Sequence, residues 1–274
     1  MELDGRTQTA LNKRRLHLAL GIGCLLIVLA YIAAPPWQPL EKARLVGYSI
    51  CHQIPSRTYH LDGHALPLCA RCTGTYLGIA IGLVAAALRG RARAGEMLSR
   101  GMLVLMGLFI LAMAVDGGNS YLVLLGRAPL LYVPRNWLRT ATGTLNGIAL
   151  SMIVLPVFNF TLWKDPQPTR PLRTPWELLL MLAAGALVIA LLQAGASWLL
   201  YPVAFISTAS VLVMLTMVNT MILLILARQE GNAARWQESV LPLLGGLAVT
   251  LLELTTIGLL RYLLTGTLTW PSIG

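Results

Sequence analysis

The chain has 274 residues, of which 56% are hydrophobic and only 12% are charged, and its mean hydropathy is +0.69. Soluble domains carry about 25% charged residues, so this composition excludes an ordinary soluble protein. The apolar residues also form long unbroken runs, as in helices that cross a bilayer. We therefore predict an all-α integral membrane protein with a single polytopic domain, residues 1–274, and no attached soluble domain.

The net charge of +10 does not require a nucleic-acid partner. The basic residues cluster in short segments beside the apolar runs, where Lys and Arg set the orientation of membrane proteins. We expect a multi-pass protein of the cell (inner) membrane, with the lipid bilayer as its surroundings and no nucleic acid as partner. Nothing in the pattern specifies an oligomeric state.

The apolar runs predict seven spans. In chain order they are 16–34, 73–88, 101–116, 138–158, 176–194, 202–227 and 241–264. The first run follows Lys13-Arg14-Arg15, as a signal peptide would, but it exceeds the usual apolar length of roughly 7–15 residues. No small-residue cleavage site precedes Pro35, so we predict an uncleaved span. The second and third runs are short, because a bilayer needs roughly 20 residues.

The basic residues also predict which side each loop faces. With seven spans, the basic N-terminus and the basic loops after the second, fourth and sixth spans share one side, which the positive-inside rule makes cytoplasmic. The N-terminus is then cytoplasmic and the C-terminus lies outside. Segment 35–72 becomes an external loop. Segment 117–137 is also external, and because Gly126 and Pro129 interrupt it, a re-entrant conformation is one alternative.

One short segment carries most of the residues that can bind metal. It contains three of the four cysteines, namely Cys51, Cys69 and Cys72. It also contains three of the four histidines, namely His52, His60 and His64. Two cysteines spaced Cys-x-x-Cys at a predicted helix start are typical of a metal site or of a redox-active disulfide. Cys51 and His52 complete a Cys3His set, which is a standard tetrahedral zinc site. We predict zinc on Cys51, His52, Cys69 and Cys72, with iron or copper as alternatives because soft thiolates bind both.

Other interpretations of this segment stay open. A disulfide is possible, although three external cysteines would leave one thiol unpaired. A metal or disulfide could also serve only to hold the loop. His60 and His64 flank a predicted Asp62-Gly63 turn, so they are either substitute ligands or solvated loop residues.

Polar neighbours of the cysteines suggest substrate binding. We assign this role to Gln53, Arg57, His64 and Arg71. The planar guanidinium of arginine suits phosphate or carboxylate groups, although Arg71 could simply neutralise the adjacent thiolates.

Four further polar residues are candidates for catalysis. Asp116, Asn136 and Arg139 are predicted to lie at the same external level as the cysteines, and an Asp116–Arg139 ion pair is the alternative to a substrate role. Glu253 lies in the middle of the seventh predicted span, where a carboxylate costs several kcal/mol and is functional by default. Its alternative is a buried partner such as Asn219.

Small residues recur at helical spacing in two of the predicted spans. Gly74, Gly78 and Gly82 repeat every four residues in the second span, and Gly143 and Gly147 do so in the fourth. Because this spacing lets helices approach closely, we predict a packing role for these glycines.

The pattern as a whole resembles one family. It is similar to a prokaryotic family of polytopic membrane proteins of unknown function (domain of unknown function, number 2085). The resemblance covers roughly residues 45–150. It rests on Cys51-His52-Gln53-x-Pro55-x-Arg57, Gly63-His64-x-x-Pro67-x-Cys69-x-Arg71-Cys72-Thr73-Gly74-x-Tyr76-x-Gly78, Asp116-Gly117 and Arg139-x-x-Thr142-Gly143. The resemblance implies that these positions form one site, and it supplies no reaction.

Our leading hypothesis is a membrane-embedded enzyme with a metal–thiolate site at the external face. A hydrolytic or group-transfer reaction on an amphipathic or lipid-linked anionic substrate would suit such a site. A transporter of a soft metal or an anionic solute is the second hypothesis. A thiol–disulfide redox relay is the third, and the sequence does not decide whether the protein is an enzyme.

Overall fold

The computed structural model describes residues 5–268, with side chains from residue 18 onward. The side chains of Lys13, Arg14 and Arg15, which contribute to the predicted sidedness, lie outside the described residues. The helices are α1 (Gly5–Ala33), α2 (Pro39–Ile50), α3 (Ala70–Leu88), α4 (Arg100–Leu124), α5 (Asn136–Leu162), α6 (Pro175–Gln193), α7 (Leu200–Leu226) and α8 (Trp236–Thr265). A short hairpin, β1 (His60–Leu61) and β2 (His64–Ala65), lies between α2 and α3.

The architecture is that of an all-α membrane protein, as predicted. Within the described residues, six helices, α3 to α8, are long and apolar enough to cross a bilayer. Helix α1 contributes a shorter apolar stretch, Leu18–Ala33, and packs against α8. The last six of the seven predicted spans therefore correspond to helices that are long and apolar enough to cross a bilayer. The first predicted span corresponds to the shorter apolar stretch of α1.

Two helices differ from the predicted spans. Helix α2 lies inside the predicted loop 35–72, and Pro39 stands in its first turn, where proline is well tolerated. Helix α4 continues to Leu124 rather than ending at residue 116. The polar run that suggested a loop instead supplies buried side chains on one helix face, namely Asp116, Asn119 and Ser120.

Helices α3 and α5 pack closely along their length. A Cβ atom on Gly74 would lie 2.2 Å from the Thr140 carbonyl oxygen, and one on Gly147 would lie 1.9 Å from that of Thr75. These contacts advance in the same direction along both helices, so α3 and α5 run parallel with their N-termini at the same end of the bundle. The predicted packing role of the glycine repeats is confirmed.

The bundle has two chemically distinct ends. The cysteine segment, the N-termini of α3 and α5, and the C-termini of α4 and α8 meet at one end, through the Arg71–Asp116 and Arg261–Cys51 contacts. The other end holds basic loops, where Arg91 donates a hydrogen bond of 2.9 Å to Glu177. The cytoplasmic location of the basic end stays a prediction.

Candidate metal centre

Three cysteine sulfurs converge at the N-terminal end of α3. The Sγ atoms of Cys51, Cys69 and Cys72 all lie within 4.8 Å of one another, and no disulfide joins them. Cys51 is 4% exposed and Cys69 is 2% exposed, whereas Cys72 is half-buried. Because zinc–sulfur bonds measure about 2.3 Å, one ion between the three sulfurs could contact all of them. We call this group the thiol site; it is the one group of His, Cys, Asp or Glu within the described residues that meets this distance limit.

Local backbone structure brings the sulfurs together. Cys51 follows the last residue of α2 in an extended conformation, and Cys69 occupies the N-cap position of α3, one turn before Cys72. The Cys51 sulfur accepts the backbone N–H of Cys69 at 3.3 Å and that of Gln53 at 3.5 Å. These donors orient the Cys51 sulfur, whereas Cys69 lies at the positive end of the α3 dipole, which favours a thiolate there.

Gln53 holds the loop that carries the thiol site. Its backbone has a positive φ of 52°, and its Nε2 donates to the carbonyl oxygens of Arg44 at 3.0 Å and Pro67 at 2.7 Å. A Cβ atom on Gly47 would lie 2.0 Å from the same Pro67 oxygen, so α2 and the segment before Cys69 are in direct contact. The position predicted for substrate binding therefore has a bridging role within the loop.

Arg261, near the end of α8, also fixes this loop, and the sequence analysis missed it. Its guanidinium donates to the carbonyl oxygens of Tyr48 and Cys51, each at 2.6 Å, and of His52 at 3.2 Å. It also lies 4.1 Å from the centre of the Tyr48 ring. The one available signal was a basic residue within an apolar run, and such a residue usually indicates only membrane orientation.

His52 lies beside the thiol site and is not part of the group of three. Its Nδ1 accepts the backbone N–H of Ile54 at 3.1 Å, so in the neutral ring the proton is on Nε2. The His52 side chain hydrogen-bonds Cys69. In this geometry the imidazole is a donor to sulfur, the role in which neighbouring groups orient a metal ligand.

The other two histidines of the segment are on the hairpin. His60 and His64 are exposed on β1 and β2, joined by the predicted turn at Asp62 and Gly63, both with positive φ. Neither histidine belongs to the thiol site.

The thiols of Cys69 and Cys51 differ in acidity. The pKa of Cys69 lies well below 9.0, mainly because of its hydrogen bond with Cys51 and next because of that with Cys72. Burial acts in the opposite direction. The hydrogen bond with Cys69 is likewise the main cause that raises the pKa of Cys51 to about 12. Of these two thiols, Cys69 is therefore the more acidic.

A buried ion pair joins α3 to α4 next to the thiol site. Arg71, which lies between the paired cysteines, donates through Nε to Asp116 Oδ2 at 3.0 Å and through Nη2 to Ser120 Oγ at 2.9 Å. Asp116 is fully buried, and its Oδ1 accepts a hydrogen bond of 2.8 Å from the Tyr132 hydroxyl. The carboxylate is paired with Arg71, so the alternative of an Asp116–Arg139 ion pair was wrong.

Two more arginines lie around this pair. Arg57, 9% exposed, donates to the Ser120 carbonyl oxygen at 3.1 Å, and Arg139, 7% exposed, donates to Asn136 Oδ1 at 2.8 Å. Asn136 donates in turn to the Ser56 carbonyl oxygen at 3.3 Å. Burial and the neighbouring Arg71 lower the pKa of Arg57. We call Arg57, Arg71 and Arg139 the arginine cluster.

Glu253 is at a different place in the bundle. Its Oε2 accepts a hydrogen bond of 2.7 Å from Asn219, which also donates to Thr250 at 3.0 Å. The next residue, Leu254, packs against Cys51 and Cys69, whereas Glu253 is exposed on the outside of α8. The structure thus shows the Asn219 partner that was the alternative interpretation of this carboxylate.

Comparison with known proteins gives a family match over the part of the chain that carries the site. A family described as "Predicted membrane protein (DUF2085)" matches residues 51–153, which include the thiol site, the arginine cluster and helices α3 and α4. An uncharacterized protein of Methanocaldococcus jannaschii is 30% identical over 129 residues, which are 47% of this chain and 76% of that relative. An uncharacterized protein of Methanothermobacter thermautotrophicus is 59% identical over 29 residues, 11% of this chain and 26% of that relative. No solved structure matches the chain.

Proposed function

The chain belongs to the DUF2085 family of predicted membrane proteins, and we propose that it is a membrane-embedded enzyme built around a metal–thiolate centre. The observation that carries the proposal is the convergence of Cys51, Cys69 and Cys72, whose sulfurs lie within 4.8 Å of one another. Three thiolates from two separate segments form the ligand set of a tetrahedral metal site. The positive-inside rule places this centre at the external face of the membrane.

Zinc is the ion that best suits these ligands, and iron or copper would bind the same soft donors. When bound, zinc supplies a Lewis acid that polarises a substrate oxygen or lowers the pKa of a coordinated water. Cys51, Cys69 and Cys72 provide three of the four positions of a tetrahedral site. His52, predicted from the sequence as the fourth ligand, is not part of the group of three. In this proposal it orients the Cys69 sulfur, and water or substrate takes the fourth position.

The groups beside the thiol site support a hydrolytic or group-transfer reaction on an anionic, amphipathic or lipid-linked substrate. Arg71 is held in place by Asp116, so its charge is fixed one residue before Cys72. Arg139 and Asn136 lie at the start of α5, next to the Arg57 segment, where they would orient the anionic group of the substrate. Asp116, through its bonds to Arg71 and Tyr132, acts as the positioning residue of this set.

Elemental analysis of the purified protein tests the proposal, with Cys72→Ser as the variant. Cys24→Ser is the matched control, because Cys24 lies in α1, outside the thiol site. We expect one metal ion per chain in the wild type and in Cys24→Ser, and loss of the metal in Cys72→Ser. Metal-free wild-type protein with an exchangeable disulfide would reject the proposal in favour of a redox relay. A metal content unaffected by Cys72→Ser would place the ion elsewhere.

The enzymatic part needs a second measurement on the same samples. We expect metal-dependent hydrolysis of a lipid-linked phosphate ester by the wild type, and its loss in Asp116→Asn with the metal retained. Metal retention with equal turnover in both proteins would contradict the assigned role of Asp116. Absence of turnover in the metal-loaded wild type would show that the site does not catalyse the proposed reaction.

A further inference from the structure

The arginine cluster contains more buried positive charge than its protein partners balance. Arg57 and Arg139 are more than nine-tenths buried, and Arg71 is mostly buried. Asp116 is the carboxylate in contact with the cluster, and its ion pair is with Arg71. Buried charges are costly unless an opposite charge compensates them. Within the part of the chain that the structure describes, no carboxylate forms an ion pair with Arg57 or Arg139.

The hydrogen bonds of these two arginines do not use all of their donors. Arg57 donates to the carbonyl oxygen of Ser120, and Arg139 donates to the amide oxygen of Asn136, so both acceptors are neutral. The Nε of Arg139 is buried without any hydrogen-bond partner among the described residues. A buried guanidinium N–H without an acceptor requires an explanation, and an anionic ligand would provide the missing acceptor.

The three arginines are neighbours at this end of the bundle. Arg57 and Arg71 both donate to Ser120, one to its carbonyl oxygen and one to its hydroxyl. Arg57 and Arg71 are also the charges that act most strongly on Arg139. The negative charges that act on both Arg57 and Arg139 are Asp116 and the Cys69 thiolate. Within the described residues, these two negative groups are therefore outnumbered by the three guanidinium cations.

We propose that Arg57, Arg71 and Arg139 bind a phosphoryl group, carried either by a lipid headgroup or by a soluble phosphate. The guanidinium fork matches the oxygen atoms of a phosphoryl group, and the arginines come from three separate segments, so donors reach the ligand from several directions. A carboxylate has only two oxygen atoms, which one guanidinium group can bind, so it would not require three arginines. Helices α3 and α5 begin at this end of the bundle, and the positive ends of their dipoles favour an anion there.

This inference names the substrate class of the proposed enzyme and rests on the proposed function for its role in catalysis. Binding of the phosphoryl group itself does not require the metal, because every donor belongs to an arginine. The two proposals can therefore fail separately.

Calorimetric titration of the purified protein with inorganic phosphate, in nanodiscs of phosphatidylcholine, is the first arm of the test. The second arm uses nanodiscs that also contain phosphatidic acid, whose headgroup is a phosphate monoester. Arg139→Gln removes the charge with the unpartnered donor, and Arg127→Gln is the matched control because Arg127 is exposed at the same end of the bundle. Acetate at equal ionic strength controls for a carboxylate site.

We expect phosphate to bind the wild type and Arg127→Gln equally, and Arg139→Gln at least about tenfold more weakly, the loss expected for one charge-assisted hydrogen bond. Arg57→Gln gives the same test if Arg139→Gln fails to fold. If phosphatidic acid blocks phosphate binding, the ligand of the site is a lipid headgroup. If phosphate binding is unaffected by phosphatidic acid, the ligand is a soluble phosphate. Both outcomes support the site. No phosphate binding in either arm, or equally tight binding of acetate, overturns it.

The metal content of each sample separates this inference from the proposed function. Phosphate binding retained in metal-free Cys72→Ser supports the phosphoryl site whether or not the wild type contains metal. If the wild type contains metal but binds neither phosphate nor phosphatidic acid, the phosphoryl site is overturned and the metal centre is unaffected.

Discussion

Arg261 donates a hydrogen bond of 2.6 Å to the carbonyl oxygen of Cys51, and this contact ties the last helix of the bundle to the first cysteine of the thiol site. The same guanidinium also bonds the Tyr48 carbonyl and lies over the Tyr48 ring. Arg261 thereby satisfies carbonyl groups at the C-terminal end of α2, where a cation is favourable. Correct placement of α8 and formation of the thiol site are therefore coupled.

Replacement of Arg261 should weaken metal binding without removing a ligand. We expect Arg261→Gln to bind the metal about tenfold more weakly, since groups that orient ligands typically contribute 10–100-fold to affinity. Competition with a chelator measures the change, and Arg127→Gln is the control because it removes an exposed arginine at the same end. Unchanged affinity in Arg261→Gln would show that α8 does not help to hold the site.

The glycine contacts between α3 and α5 should be intolerant of any side chain. We expect Gly147→Ala to lower the free energy of unfolding by about 1–3 kcal/mol or more, because its Cβ would lie 1.9 Å from the Thr75 carbonyl oxygen and backbone cannot move aside locally. Gly107→Ala in α4 is the matched control, with nothing within 4 Å of the new Cβ. Unfolding in detergent should show Gly107→Ala as stable as the wild type or about 1 kcal/mol more stable. Equal stability of the two variants would contradict the close packing.

The Arg71–Asp116 pair should be costly to break. We expect Asp116→Asn to destabilise the protein by about 3–5 kcal/mol, since it leaves a buried guanidinium without its counter-charge. Glu41→Gln breaks the half-exposed Arg44–Glu41 pair and should cost only about 0–1 kcal/mol. Denaturant unfolding of both variants provides the comparison, and a similar small loss in each would mean that water reaches Asp116.

In the reduced protein without metal, Cys69 should lose its proton at a lower pH than an ordinary cysteine does. The Cys51 hydrogen bond is the main reason why the pKa of Cys69 lies well below its ordinary value of 9.0, while the pKa of Cys51 is raised to about 12. Because the pKa of Cys69 is lowered in the folded state, its contribution to stability is complete above pH 9.0 and is lost as the pH falls through the lowered value. Thiolate ultraviolet absorbance of the wild type minus that of Cys69→Ser, followed through a pH titration, measures this group. A thiolate signal that first rises near pH 9.0 would contradict the shared hydrogen bonds.

The sequence was sufficient to predict that Cys69 and Cys72 would lie together and that the two glycine repeats would allow close helix packing. Cys69 and Cys72 are one turn apart at a helix start, so their sulfurs must be close. Gly74 and Gly147 lie in repeats of small residues, and such repeats have a direct geometric consequence for helix approach. Both inferences depend on local spacing.

The partners of the charged residues could not be predicted in the same way. Hydropathy gives the depth of Asp116 and Arg139 along the membrane normal, but not the direction in which each side chain points around its helix. Asp116 therefore pairs with Arg71 on α3 and not with Arg139 on α5. The contact between Arg261 and Cys51 joins residues 210 positions apart, and no local pattern encodes it.

X-ray absorption at the metal edge of the purified, metal-loaded protein tests the central claim most directly. Binding by Cys51, Cys69 and Cys72 predicts three sulfur neighbours at about 2.3 Å and one lighter atom at about 2.0 Å for zinc. The shell should keep this composition in His52→Ala, because His52 lies outside the group of three sulfurs. A metal surrounded only by nitrogen and oxygen atoms, or one with a single sulfur neighbour, would contradict the thiol site as its place of binding.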